Sequence, residues 1–221
     1  MDFVIAVDGT AASGKGTLAA SLAAEYGLPH LDTGLLYRAV GREVLLRGSD
    51  PNDAAKARAV AQSLAVLPGS SSPELQSPEV SEAASQVAAH QGVRAVLLQL
   101  QREYANRPGG AVLDGRDIGT VIAPEAAAKL YVDADLGERA RRRWLQVSAR
   151  GDARTPEAVA DDLARRDARD AGRADAPMVR AADAVLLDTT GMSISSAADA
   201  ARRIVEAARA RWLEQRSAAR G

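Results

Sequence analysis

Cysteine is missing from all 221 residues, which excludes disulfides, thiolate zinc sites, iron–sulfur clusters and a cysteine nucleophile, and suits a reducing compartment. Histidine occurs only at His30 and His90, so an all-histidine metal site is not expected. Aromatics make up just 3%. Of the basic residues only Lys15, Lys56 and Lys129 are lysine. Charge of one sign is also lacking: 28 basic residues face 29 acidic ones, so no overall field would hold a nucleic acid polymer or an anionic membrane, and any anion must be bound by local clusters. No stretch approaches ~18 consecutive apolar residues, and the start Met1-Asp2-Phe3 has no basic n-region. Neither a membrane span nor a signal peptide is therefore expected. These absences point to a cytoplasmic protein, a monomer is expected because no long exposed apolar patch is read from the sequence, and at roughly 150 residues per domain the length suits one domain, 1–221.

What is present is alanine, 48 residues of it, which favours closely packed helices. Between the helical segments lie five short apolar runs: Phe3 to Val7, His30-Leu31, Ala111 to Leu113, Leu130 to Val132 and Val185 to Leu187. Each is followed at once by an aspartate: Asp8, Asp32, Asp114, Asp133 and Asp188. The alternation predicts an α/β fold, a five-stranded parallel sheet with helices on both faces. Ligands of such sheets bind outside the carboxyl ends of the strands, where the aspartates fall. Taken singly, Asp133 and Asp188 are better explained as residues that end a strand or cap a helix.

Turn-rich Gly48 to Pro51 and Pro68 to Pro73 bracket a weakly helical stretch, Ala54 to Leu67, expected to be a small insert within about 48–82. One long helix is expected from Glu79 to Tyr104. An arginine-dense, strandless stretch from Leu136 to Arg173 suggests a lid at about 145–176. Spacing of Ile194, Ala197, Ala201, Ile204, Ala208 and Trp212 marks a last amphipathic helix.

The sharpest chemical signal is Gly9-Thr10-Ala11-Ala12-Ser13-Gly14-Lys15-Gly16-Thr17, between the first strand and a helix. This is the setting of a P-loop, whose backbone N–H groups and helix N-terminus cradle phosphates while the lysine reaches the β- and γ-phosphates. The strict pattern is not met, because Gly16 follows the lysine and the hydroxyl comes at Thr17. Asp32-Thr33-Gly34, followed by Tyr37 and Arg38, could meet a second anion or could be only an N-cap. In Asp114-Gly115-Arg116-Asp117 the first carboxylate is placed to hold magnesium, directly or through water. Arg116 could neutralise phosphate or merely pair with Asp117. Arg166, Asp170 and Arg173, spaced to share one helix face, are either solvated salt bridges or the charges that close over a transferring phosphoryl group. Arg139 and Arg141 to Arg143 invite the same argument.

In concert these motifs resemble the bacterial cytidylate kinases: the Gly14-Lys15-Gly16-Thr17 ending, Asp32 to Arg38, Ala83-Ala84-Ser85-Gln86-Val87-Ala88 with Val93-Arg94, Asp114 to Thr120, and Arg166 to Asp170 with Arg173. The resemblance implies a P-loop kinase fold and transfer of the ATP γ-phosphate to CMP or dCMP with Mg2+. It implies that residues 9–17 bind ATP, and that Thr33, Arg38 and Arg116, beside Asp32, hold the acceptor phosphate. Ser85, Arg94 and Asp117 would read cytosine, and Arg166, Asp170 and Arg173 would contact sugar and phosphate from the lid. Lys15, Arg116, Arg166 and Arg173 would be catalytic, with Thr17 and Asp114 at the metal. Two departures stand out: the segment between Leu64 and Glu79 is shorter than the insert of many relatives, and Thr33 replaces the commoner serine. Kinases of UMP, dephospho-coenzyme A or shikimate share the loop without needing Ser85, Arg94 and Asp117, and a nucleotide-dependent regulatory module remains the alternative of a different class.

Overall fold

The computed structural model describes residues 2–64 and 73–219. Five strands form one parallel sheet: β1 (Val4–Gly9), β2 (His30–Asp32), β3 (Ala111–Gly115), β4 (Ala128–Asp133) and β5 (Val185–Asp188), in the order β2-β3-β1-β4-β5. They are the five apolar runs expected from the sequence. Parallel neighbours cannot be joined by a hairpin, so each connection crosses over a face of the sheet, and the helices cover both faces. On one face Leu18 and Leu22 of α1 (Lys15–Tyr26) and Ala201 and Val205 of α8 (Ile194–Ala218) pack on Ile5, Val7, Leu130 and Val132. On the other, Ala105 of α5 (Gln91–Ala105) and Ile118 of a wide turn at Ile118–Ile122 meet Val4, Ala6 and Leu113.

Strand register sets the trailing aspartates side by side. Asp32 is the partner of Asp114 across β2 and β3, and Asp133 is the partner of Asp188 across β4 and β5. β1 lies between β3 and β4, so the chain leaving it opens onto the crevice where the strand order reverses.

Two smaller cores flank that crevice. Val40 and Val44 of α2 (Thr33–Leu46), Val60 of α3 (Ala54–Ser63), Val87 of α4 (Pro78–Val87) and Val93 and Leu97 of α5 form one. Val147 of α6 (Leu136–Ser148) and Val159 and Leu163 of α7 (Pro156–Ala171) form the other, which packs on Ala11.

Three expectations are corrected. The helix expected from Glu79 to Tyr104 is two helices, α4 and α5, broken at Ala88–His90. His90 stands at the start of α5 and its Nε2 lies 2.8 Å from the Pro51 carbonyl oxygen, a tertiary anchor that turns the chain where no proline or glycine does. The helix expected to reach Leu67 ends at Ser63, and residues 65–72, with most of the Pro68 to Pro73 turn, lie outside the described residues. Helix α7 ends at Ala171, so Arg173 lies past the helix whose face it was expected to share. Among the described residues no helix is long and apolar enough to cross a membrane.

Candidate active site

The loop between β1 and α1 is braced from behind. Its carbonyls are taken by side chains: that of Thr10 by Ser13 Oγ at 3.0 Å and Lys15 Nζ at 3.1 Å, that of Ala11 by Arg139 Nη1 at 3.1 Å, and that of Ser13 by Thr189 Oγ1 at 2.9 Å. The Ala11 N–H is itself turned to Asp167 Oδ1 at 3.4 Å. Gly14 caps α1 in the left-handed region, φ +91°, and no side chain caps the first turn. The orphan amides of that turn are left for an anion. Ala12 also holds a positive φ, +62°, a strain of order 1–3 kcal/mol that clusters at functional sites.

This loop forms one end of a cavity of about 610 Å³. Its wall carries Lys15, Arg38, Arg94, Arg116, Arg143, Arg166 and Arg173 against Asp32, Asp114, Asp117 and Asp170. The excess of cations is felt by its members. Burial and then the neighbouring guanidinium of Arg116 push Lys15 down to about 7. Burial and then Arg143 push Arg38 down to about 10, and burial and then Arg116 do the same to Arg166. Such a wall is relieved by an anion. On the acidic side, burial and then Asp114 push Asp32 up.

Of the residues singled out from sequence, Ala11, Ala12, Gly14 to Thr17, Asp32, Thr33, Arg38, Ser85, Arg94, Asp114, Arg116, Asp117, Arg166, Asp170 and Arg173 all line this cavity. Gly9, Thr10 and Ser13 do not. Gly9 is needed for backbone approach, since a Cβ there would lie 1.9 Å from the Val132 carbonyl oxygen, while Thr10 Oγ1 donates to Asp133 Oδ1 at 2.6 Å and fixes the loop to β4. Asp32 caps α2, accepting from the Gly34 N–H at 2.9 Å, and the Thr33 hydroxyl donates to the Asp114 carbonyl at 2.8 Å. Arg38 Nη1 donates to the Leu75 carbonyl and Ser81 Oγ. Arg116 does not pair with Asp117. Its Nε–H donates to Asp170 Oδ2 at 2.9 Å, while Asp117 Oδ2 accepts from Arg94 Nη2 at 2.6 Å. Arg94 is buried; its Nε lies 3.5 Å from Asp175 Oδ2, while its Nη1 has no partner, and a buried unpaired donor on a cavity wall calls for an acceptor on a ligand.

Among the described residues no group of three or more His, Asp or Glu side chains could by itself hold a metal. The residues present do fit a magnesium ion that keeps its waters and shares phosphate oxygens. Asp114 Oδ1 is engaged by His30 Nε2 at 2.7 Å, whereas Oδ2 faces the start of α1, 3.7 Å from where a Cβ on Gly16 would stand. Thr17 lines the same cavity.

Several supports of this site were named from the sequence without their roles, Arg139 and Arg141 to Arg143 as lid charges and Asp8 as an aspartate that closes a strand. The group Arg139 to Arg143 divides: Arg143 faces the cavity, Arg139 braces Ala11 and pairs with Asp167 at 2.6 Å, Arg142 donates to the Thr189 carbonyl, and Arg141 pairs with Glu138 at the surface. Asp8 accepts from the N–H groups of Ile118 and Gly119, each at 2.7 Å, and so fixes the turn after Asp117. Burial pushes this carboxyl up to about 6. Its place directly after β1 was the available signal.

A family model described as cytidylate kinase matches residues 5–208. A cytidylate kinase of Caulobacter sp. (strain K31) is 57% identical over 217 residues, covering 96% of this chain and 98% of its own. One of Xanthobacter autotrophicus (strain ATCC BAA-1158 / Py2) is 58% identical over 208 residues, covering 94% and 99%. An uncharacterized protein from Eubacterium ventriosum, of known crystal structure, shares the fold with a TM-score of 0.57 at 15% identity, over 94% of this chain and 99% of that one. With a match that runs from the first strand into the last helix and takes in every motif on the cavity wall, the chain belongs to the cytidylate kinase family.

Proposed function

We propose that the protein transfers the γ-phosphate of ATP to CMP or dCMP, giving ADP and the nucleoside diphosphate. The observation that carries this reading is the continuity of one cavity from the orphan amides of α1 and Lys15 to the unpaired Nη1 of Arg94 beside Asp117 and Ser85. The first end suits a polyphosphate, and the second suits a base that offers both an amino group and ring acceptors. Cytosine has an N4 amino donor with N3 and O2 acceptors, so Asp117 can take an amino hydrogen while Arg94 donates to an acceptor. Uracil carries a carbonyl in place of the amino group and offers the carboxylate no hydrogen.

The acceptor phosphate oxygen is already a nucleophile, so the protein need supply no base. It attacks the γ-phosphorus in line as the bond to the β-phosphate oxygen breaks, and ADP leaves with that electron pair. Positioning and charge neutralisation then do the work. Lys15 faces the ATP phosphates, Arg38 and Arg116 face the acceptor phosphate, with Asp32 and Thr33 shaping the wall beside them, and Arg166 and Arg173 approach from the lid. Asp114 and Thr17 would hold Mg2+, which would supply charge neutralisation for the phosphates. The end of α6 and the whole of α7 act as the lid, at about 145–176, and α3 with the start of α4 as a short acceptor-side insert, about 48–82. The reading includes a monomer working in the cytoplasm on small molecules, with no polymer or membrane partner.

ADP release from MgATP with CMP, dCMP, UMP, AMP, shikimate and no acceptor tests this directly. Preference for CMP and dCMP is expected. Turnover with another acceptor alone would discard Ser85, Arg94 and Asp117 as cytosine readers, and no acceptor-dependent turnover would discard the kinase reading. Arg38→Ala and Arg116→Ala are expected to lower transfer by orders of magnitude with ATP binding largely intact, and full activity in both would overturn the assignment.

A further inference from the structure

One histidine stands among the carboxylates of the cavity wall. His30 opens β2, and because side chains alternate between the faces of a strand, it shares a face with Asp32 two residues on. Register pairs His30 with Val112 and Asp32 with Asp114, so the imidazole has to reach forward along β3 to meet Asp114. It does so, with Nε2 2.7 Å from Asp114 Oδ1. A carboxylate can only accept, so Nε2 carries the shared hydrogen. The reach is set by the backbone, since the Tyr104 hydroxyl of α5 donates to the His30 carbonyl at 3.0 Å and the Val112 N–H donates to the Pro29 carbonyl at 2.9 Å. Each carboxylate is thereby held by one oxygen, Asp114 Oδ1 by the ring and Asp32 Oδ1 by the Gly34 N–H. Among the described residues neither Oδ2 has a hydrogen-bond partner.

We propose that His30 is a positioning residue for the metal end of the site: by holding Oδ1 of Asp114 it fixes the rotation of that carboxylate and presents Oδ2 to Mg2+ or to a water of its shell. This rests on the reading of that end of the cavity as the place of MgATP. The last torsion of an aspartate is broad, so a carboxylate left to itself spreads its oxygens over many directions and has to be ordered by the cation it binds. A ring on a pinned backbone does the ordering beforehand. The contact adds little to the joining of β2 and β3, whose backbones are already paired from His30 to Asp32. What it adds is direction. His30 acts only through Asp114, and it needs no change of charge to do so, because the neutral ring also has an N–H to give.

The test compares the full chain with His30→Leu, which removes the donor, and with His30→Gln, whose amide nitrogen can stand where Nε2 stood. Calorimetry gives the Kd for ADP with Mg2+ present and with EDTA in its place, and the ratio of the two reads how far the protein holds the metal, without any turnover. Binding of Mg2+ to ADP in solution is common to all the proteins and cancels between them. His30→Leu is expected to bring the ratio down several-fold towards one, with metal-free ADP bound as before, and to raise the Mg2+ concentration for half-maximal ADP release with CMP about tenfold. His30→Gln is expected to recover most of both. Should His30→Leu not fold, His30→Asn, which carries the same amide one bond short, takes its place against His30→Gln. An unchanged ratio, an equal loss of ADP affinity with and without metal, or a His30→Gln protein no better than the donor-less or shortened variant would each overturn the proposal and leave His30 as a contact between strands. If the unsubstituted chain binds ADP no tighter with Mg2+ than without it, the MgATP reading fails first and takes this inference with it, an outcome visible before any variant is compared.

Discussion

The Nε–H of Arg116 donates to Oδ2 of Asp170 over 2.9 Å and so joins the turn after β3 to the last turn of α7. The other oxygen of the same carboxylate accepts from Arg173 at 2.5 Å. Although burial opposes it, the surrounding arginines, Arg116 first, hold Asp170 down to about 2. Removing it strands two enclosed guanidinium groups. Asp170→Ala is expected to destabilise the protein by about 3 kcal/mol in urea unfolding and to raise the KM for the acceptor. A carboxyl held below its ordinary 3.8 stabilises the fold above that pH and loses the contribution as pH falls towards 2. The gap in stability between the two proteins should thus be full at pH 6 and close on acidification.

Asp8 carries the opposite sign. Its carboxyl is raised from 3.8 to about 6, so the native state binds the extra proton between those values and stability falls as pH rises through the window. Asp8→Asn abolishes that slope. Because an amide has one acceptor oxygen where the carboxylate has two, an N–H of Ile118 or Gly119 is left unmatched, and the variant should be about 2 kcal/mol less stable at neutral pH. Thermal melts from pH 4 to pH 7 read both effects.

Gly41 lies where α2 crosses α4, and a Cβ there would stand 2.8 Å from the Ala84 N and 3.1 Å from the Ala83 Cβ. Gly41→Ala forces the helices apart, at a cost of about 1–3 kcal/mol for overpacking. Ser85 follows Ala84 directly, so the acceptor KM is expected to rise several-fold while the KM for ATP stays put. Steady-state kinetics with each substrate varied in turn separates the two.

Lys15 sets activity against stability. Below pH 7 the empty site holds an enclosed ammonium among arginines; as pH rises from 7 towards 10.5 the native state sheds that proton before the unfolded chain does, and stability increases. Lys15→Met should raise the melting temperature of the ligand-free protein near pH 7 by about 2–4 °C, the equivalent of about 1 kcal/mol, with the advantage shrinking by pH 9. Phosphoryl transfer should be lost at every pH. A variant both inactive and less stable would contradict this account of the site.

The sheet was legible because each strand is a short apolar run closed by an aspartate, and the phosphate loop because its glycines, lysine and hydroxyl lie between a strand and a helix. The break at Ala88–His90 was not, since Val87 and Val93 continue an apolar pattern and what stops the helix is the Pro51 carbonyl, 39 residues away from His90. The pairing of charges was illegible for the same reason. Arg116 has a carboxylate next to it in sequence, yet its partner is Asp170, 54 positions on, because in the bend after β3 Asp117 turns to Arg94 of α5 while Arg116 turns to α7. Arg169 donates to Ser85 from 84 positions away, and the two belong to motifs that sequence reading kept separate.

Burial and the nearby Arg116 lower the Lys15 amine from its ordinary 10.5 to about 7, which enlarges its uncharged, nucleophilic fraction relative to an exposed lysine. The chain offers little competition, for Lys129 is buried with its Nζ donating to the Pro124 carbonyl and Asp183, leaving Lys56 as the exposed lysine. The empty cavity is therefore open to acylation at Lys15 by amine-directed reagents, whereas a bound polyphosphate would restore the proton and cover the side chain. The enclosure that prepares the loop for phosphate also makes nucleotide the enzyme's own protecting group.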